Sequence, residues 1–135
     1  MKEQISALLL HELGDSLAPL KQALEGQSME VCWRQNCQEA STLLLGVNPP
    51  HLVFTEIDLS DGTWADVVKL AVKAKKRVNV IVVARLADVR FYLETIVSGA
   101  FDFIVPPLTG VELSHVVRCA AENASSRREA QVLAA

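Results

Sequence analysis

The chain has 135 residues, half of them hydrophobic, which suits one packed domain with a proper core and excludes a disordered chain. A formal net charge of −3 with no basic stripe argues against nucleic-acid binding. No apolar stretch approaches membrane-spanning length, and Met1-Lys2-Glu3-Gln4 opens no signal peptide, so no membrane association and a cytoplasmic location are expected.

Short apolar runs alternate with amphipathic stretches along the chain. Ile5 to Leu10 reads as a strand ended by His11-Glu12, and Asp15 to Leu24 has helical spacing at Leu17, Leu20 and Leu24 before Gly26. Met29 to Trp33 reads as a strand with Trp33 as packing, and Gln38 to Leu45 as a helix stopped by Gly46 and Asn48-Pro49-Pro50. Leu52 to Ile57 is a buried strand, followed by an amphipathic helix from Trp64 to Lys75. Val78 to Val83 is nearly all β-branched, as a strand buried on both faces should be. A helix over Asp88 to Val97 ends at Gly99, Phe101 to Val105 forms a fifth strand, and Thr109 caps a last helix running to about Ala124. Residues 1–124 are read as the domain and 125–135 as a helical extension or tail, with Arg127-Arg128 on its surface. Cys32, Cys37 and Cys119 are expected as free thiols, since no further His or Cys completes a zinc set with the first two.

Five β-then-α units with short connections predict a flavodoxin-like α/β fold, a doubly wound parallel sheet with helices on both faces. In such a sheet chemistry collects at the C-terminal ends of the strands, near the switch in strand order. The residues arriving there are His11-Glu12, Glu56 with Asp58, Ala84-Arg85 and Pro106-Pro107.

The run His51-Leu52-Val53-Phe54-Thr55-Glu56, then Asn79 to Ala84, then Gly99-Ala100-Phe101-Asp102-Phe103-Ile104-Val105-Pro106-Pro107, resembles the third, fourth and fifth strands of response-regulator receiver domains. The likeness covers about residues 5 to 124 and implies the strand order 2-1-3-4-5 and a role in bacterial two-component signal transduction. It also implies functional positions, and here their chemistry has changed. Working receivers have an acidic pair for Mg²⁺ where this chain has His11-Glu12, and the acceptor aspartate where it has Glu56. They have a hydroxyl where it has Ala84 and a lysine where it has Pro106. Nucleophile, switch contact and counter-charge are all altered, so a non-catalytic, phosphorylation-independent, atypical receiver is expected. No cofactor is expected, residual Mg²⁺ at Glu12 and Glu56 included. Glu56 reads either as a fixed imitation of a phosphorylated aspartate or as drift.

Two rivals stay open: a receiver phosphorylated at a displaced acceptor, Asp58 or Asp61, and a small-ligand-binding domain on the same fold. A transition-metal site of His11, Glu12 and Glu56 is disfavoured, because adjacent side chains leaving one strand point apart. Trp64 reads as a plug of the vacated pocket or as an exposed anchor for a partner. The fourth helix carries more apolar residues than one buried stripe needs. Leu93 and Ile96 are expected to face the core, and Phe91 and Val97 a partner, rimmed by Arg90, Glu94, Asp102 and Arg118. The family implies docking or homodimerisation through the fourth helix, fifth strand and fifth helix, so the expected partner is a protein or an attached output domain.

Overall fold

The computed structural model describes residues 4–12, 17–84, 89–105 and 110–134, with the side chains of residues 89–91 outside that description. The element order is β1 (Ser6–Leu10), α1 (Ala18–Gly26), β2 (Glu30–Arg34), α2 (Cys37–Leu44), β3 (Leu52–Glu56), β4 (Asp58–Leu59), β5 (Gly62–Thr63), α3 (Trp64–Lys73), β6 (Asn79–Val83), α4 (Val89–Val97), β7 (Asp102–Ile104) and α5 (Gly110–Ala134). The five longer strands form one parallel sheet in the order β2-β1-β3-β6-β7, the predicted arrangement.

Helices cover both faces of this sheet because its central strands have no polar face. All five residues of β6 are buried, as are the first four of β3. Alternation along the strands divides the core in two. Leu8, Leu10, Val53, Val80 and Val82 pack with Cys37, Leu44, Trp64 and Val67 of α2 and α3. Ala7, Leu9, Leu52, Phe54 and Ile81 pack with Leu20, Leu24, Val117 and Ala121 of α1 and α5.

Several details depart from the sequence expectation. A two-residue hairpin joins β4 to β5, with Asp58 opposite Thr63 and Leu59 opposite Gly62. Trp33 is 47% exposed because β2 is an edge strand, and its indole N–H donates to the His11 carbonyl at 3.0 Å. Leu93 is 55% exposed instead of facing the core. The inward position of α4 is taken by Thr95, fully buried because its hydroxyl donates to the Tyr92 carbonyl at 2.8 Å.

The last helix runs through the 124/125 boundary without a break. Its inward line continues as Val117, Ala121, Ala124 and Arg128, all buried. Arg128 lies on no open surface. Its Nε donates to the Arg77 carbonyl at 2.8 Å, and one terminal nitrogen to the carbonyls of Pro49 at 3.0 Å and Pro50 at 2.8 Å. Gln131 adds an acceptor for the Arg77 amide at 2.9 Å. These partners precede β3 and β6, so the end of α5 is fastened at the sheet edge opposite the candidate site. No helix among the described residues is long and apolar enough to cross a membrane.

Candidate functional site

The C-terminal ends of β1 and β3 bring Glu12 and Glu56 together. Glu56 Oε1 accepts the Glu12 backbone amide at 3.2 Å, and the Glu12 carboxylate accepts the Ser60 amide. The two bonds cross the switch between β1 and β3 and tie both strands to the hairpin. Amide donors to a carboxylate are charge-assisted contacts, among the stronger hydrogen bonds in a protein.

His11 leaves the same strand end in another direction. Its ring lies against Trp33, centroids 5.6 Å apart and tilted by 46°. His11, Glu12 and Glu56 therefore form no metal set, and no group of three His, Cys, Asp or Glu side chains able to hold a metal occurs among the described residues. Mg²⁺ requires near-octahedral oxygen ligands. The His11 imidazole is turned towards an indole, and the Glu12 and Glu56 carboxylates each accept a backbone amide.

Ala84 follows β6 and is buried, and its methyl group can donate no hydrogen bond. Pro106, with Pro107, lies outside the described residues.

The displaced candidates differ from each other. Asp58 is exposed on β4. Asp61, in the hairpin turn, spans to the start of α2, where Oδ1 accepts the Cys37 amide at 2.8 Å and Oδ2 the Gln38 amide at 2.9 Å. Asn36, the N-cap, takes the next amide, that of Glu39, at 2.9 Å. The first three amides of α2, which have no partner within the helix, are thus all satisfied, two of them from 24 and 23 residues away. Gly62 permits this closeness, since a Cβ there would lie 2.6 Å from Asp66 Oδ2 and 3.0 Å from Cys37 Sγ. Asp66 is itself engaged, accepting the Thr63 amide at 2.9 Å in the capping box that starts α3. Burial, followed by the Asp61 charge, pushes the Cys37 thiol up to about 11 and leaves it protonated at neutral pH.

The Cys37 and Gln38 amides hold the Asp61 carboxyl below its ordinary value. Folding therefore favours its charged form. That contribution is complete above the unfolded pKa, about 3.9, and is lost as pH falls through the lower folded value. Asp61→Asn is expected to cost about 1 kcal/mol at pH 7, held towards the low end by solvent screening. In urea unfolding the deficit should shrink as pH is lowered from 7 through the folded value, as the parent loses the same charge. A deficit that stays equal down the acid range would show that charge on Asp61 is not what caps α2.

Trp64 opens α3 and is only 6% exposed, packed in the core with Leu59, Cys37 and Val67. It is therefore no part of an exposed partner surface. On the expected docking face Val97 is 86% exposed, and Glu94 and Arg118 are also exposed. Asp102 is half-buried, its Oδ1 accepting the Phe103 amide at 2.8 Å. The side chains of Arg90 and Phe91 lie outside the described residues. Sequence reading missed a groove of about 480 Å³ beside the site, between β2 and α1 and lined by Leu9, His11, Lys21, Glu25, Val31 and Trp33. Its one sequence signal was a tryptophan on an edge strand.

Solved structures similar to this chain include response regulators. A two-component response regulator from Clostridium difficile is 25% identical, with 88% of this chain and 97% of that one covered and a TM-score of 0.75. A CheY-like receiver domain protein from Methanospirillum hungatei is 18% identical, covering 92% and 98% with a TM-score of 0.76. DrrB of Thermotoga maritima, an OmpR/PhoB homologue, is 17% identical with a TM-score of 0.73, and the match covers 90% of this chain but 54% of that one. No protein-family model matches the sequence. A comparison with curated proteins finds no match either.

Proposed function

From a receiver fold whose edge carboxylates serve the backbone, we infer that this chain is a non-catalytic, phosphorylation-independent receiver-like domain of two-component signalling. It acts by binding a protein, either a separate partner or an output domain. The observation that carries the reading is the crossed pair of bonds at the sheet edge, Glu56 to the Glu12 amide and Glu12 to the Ser60 amide. Phosphoryl transfer depends on an in-line nucleophile and stabilised charge. Glu56 sits one methylene too far out for the first, and buried Ala84 offers no donor for the second. Asp61, with both oxygens on α2, makes a poor displaced acceptor.

The test is intact mass after incubation with Mg²⁺ and acetyl phosphate, for the parent and for Glu56→Asp. Neither should gain a phosphoryl group, because restoring the aspartate leaves the stabilising donors missing. A gain mapped to Asp58 or Asp61 in the parent would replace this reading with that of a displaced acceptor. Robust labelling of Glu56→Asp would show that the nucleophile alone had been lost.

The face of α4, β7 and α5 is the proposed contact surface, supported by Tyr92, Leu93 and Val97, exposed apolar residues on α4. Desolvated apolar anchors outweigh rim charges in interfaces. Val97→Asp should therefore weaken association at least tenfold in sedimentation, and Glu94→Ala by less than threefold. Equal effects would place the contact elsewhere. The groove beside Trp33 favours a second reading, small-ligand binding, which a thermal-shift screen of parent against Trp33→Ala would reveal.

A further inference from the structure

The outer line of α5 carries chemistry that the sheet edge does not use. Successive residues of a helix turn by about 100°, so the side opposite buried Val117, Ala121 and Ala124 is the line of Glu112, His115, Cys119 and Glu122. All four are exposed. His115 and Cys119 are one turn apart, which brings their side chains together. Cys119 Sγ lies 3.7 Å from His115 Nε2.

That separation is the one two ligands have on a tetrahedral zinc ion. Zinc bonds of about 2.3 Å to sulfur and about 2.0–2.1 Å to nitrogen, meeting at about 109°, place the two donor atoms about 3.6 Å apart. Thiolate and imidazole are also the donors that this borderline-soft cation prefers. Among the described residues no third His, Cys, Asp or Glu joins the pair in a group able to hold a metal.

We propose that His115 and Cys119 form half of a zinc site, completed by the same pair from a second copy of this chain to join two copies along α5. A closed zinc site takes four ligands, and a two-fold axis supplies the missing two from an identical surface. Each ion displaces one proton from each of the two thiols into solvent, leaving two thiolates and two neutral imidazoles on Zn²⁺. Glu112 and Glu122 flank the pair, so two copies meeting here bring four carboxylates close. Their repulsion makes the association depend on the cation.

The experiment uses the reduced, untagged chain, titrated with Co²⁺ as a spectroscopic probe and with Zn²⁺ in sedimentation. A thiolate-to-cobalt charge-transfer band should saturate at one ion per two chains. Zn²⁺ should double the sedimenting mass, and EDTA should restore the original. His115→Ala and Cys119→Ser should each abolish both responses while leaving the urea midpoint unchanged, since both side chains are exposed. Absence of the band, saturation at one ion per chain, or a zinc-dependent increase in mass that survives Cys119→Ser would each overturn the proposal.

Discussion

Trp64→Ala is expected to cost about 3–5 kcal/mol, the usual result of removing a large aromatic from a packed core. A domain of this size is stable by only about 5–15 kcal/mol, so the variant should be partly unfolded on mild warming. Trp64 stands at the first position of α3, between the hairpin residue Leu59, the α2 residue Cys37 and Val67 of its own helix. Its loss leaves a cavity in the core layer between the sheet and helices α2 and α3. Urea unfolding measures the effect, and Trp64→Phe should give an intermediate loss. A change under 1 kcal/mol for the alanine variant would mean that the indole is not a packed part of this core.

Arg128→Ala is expected to cost about 3 kcal/mol. Hydrogen bonds to a charged donor contribute about 1.5–3 kcal/mol each, and buried acceptors left without one cost about 1–3 kcal/mol, with incomplete additivity. Here three carbonyls lose one guanidinium. Arg128→Lys should recover little, because a single ammonium cannot reproduce a planar fork. Arg127→Ala, on the exposed side of the same helix, should stay within about 0.5 kcal/mol of the parent. Equal urea midpoints for the two alanine variants would show that the Arg128 contacts carry no net stability.

The sequence makes the sheet legible because parallel strands buried on both faces leave unbroken apolar runs, as in Val80–Val83 of β6. Their C-terminal ends then locate Glu12, Glu56 and Ala84 without further information. What these residues bond to is not legible. Whether Asp61 is a loop carboxylate or a cap for α2 depends on amides 24 and 23 residues away. The hairpin strands, two residues each, are too short to show a period. On α4 hydrophobicity misassigned the inward line, because Thr95 satisfies its hydroxyl within the helix and can be buried in place of Leu93. The inward spacing of α5 continues past Ala124 to residue 128, but the charge of an arginine there concealed it.

The fastening of α5 also bears on the order in which the chain assembles. Arg128 reaches back 51 residues to Arg77 and 79 and 78 to the two prolines. Closing loops of that length costs chain entropy before any contact repays it, so these bonds are expected to form after the sheet has nucleated. Interactions absent from the folding transition state act mainly on the rate of unfolding. The clamp is thus expected to serve as a late kinetic lock. Its removal should raise the unfolding limb of a chevron plot and leave the refolding limb nearly in place, making the Arg128 variant more vulnerable to proteolysis than its rate of folding would suggest.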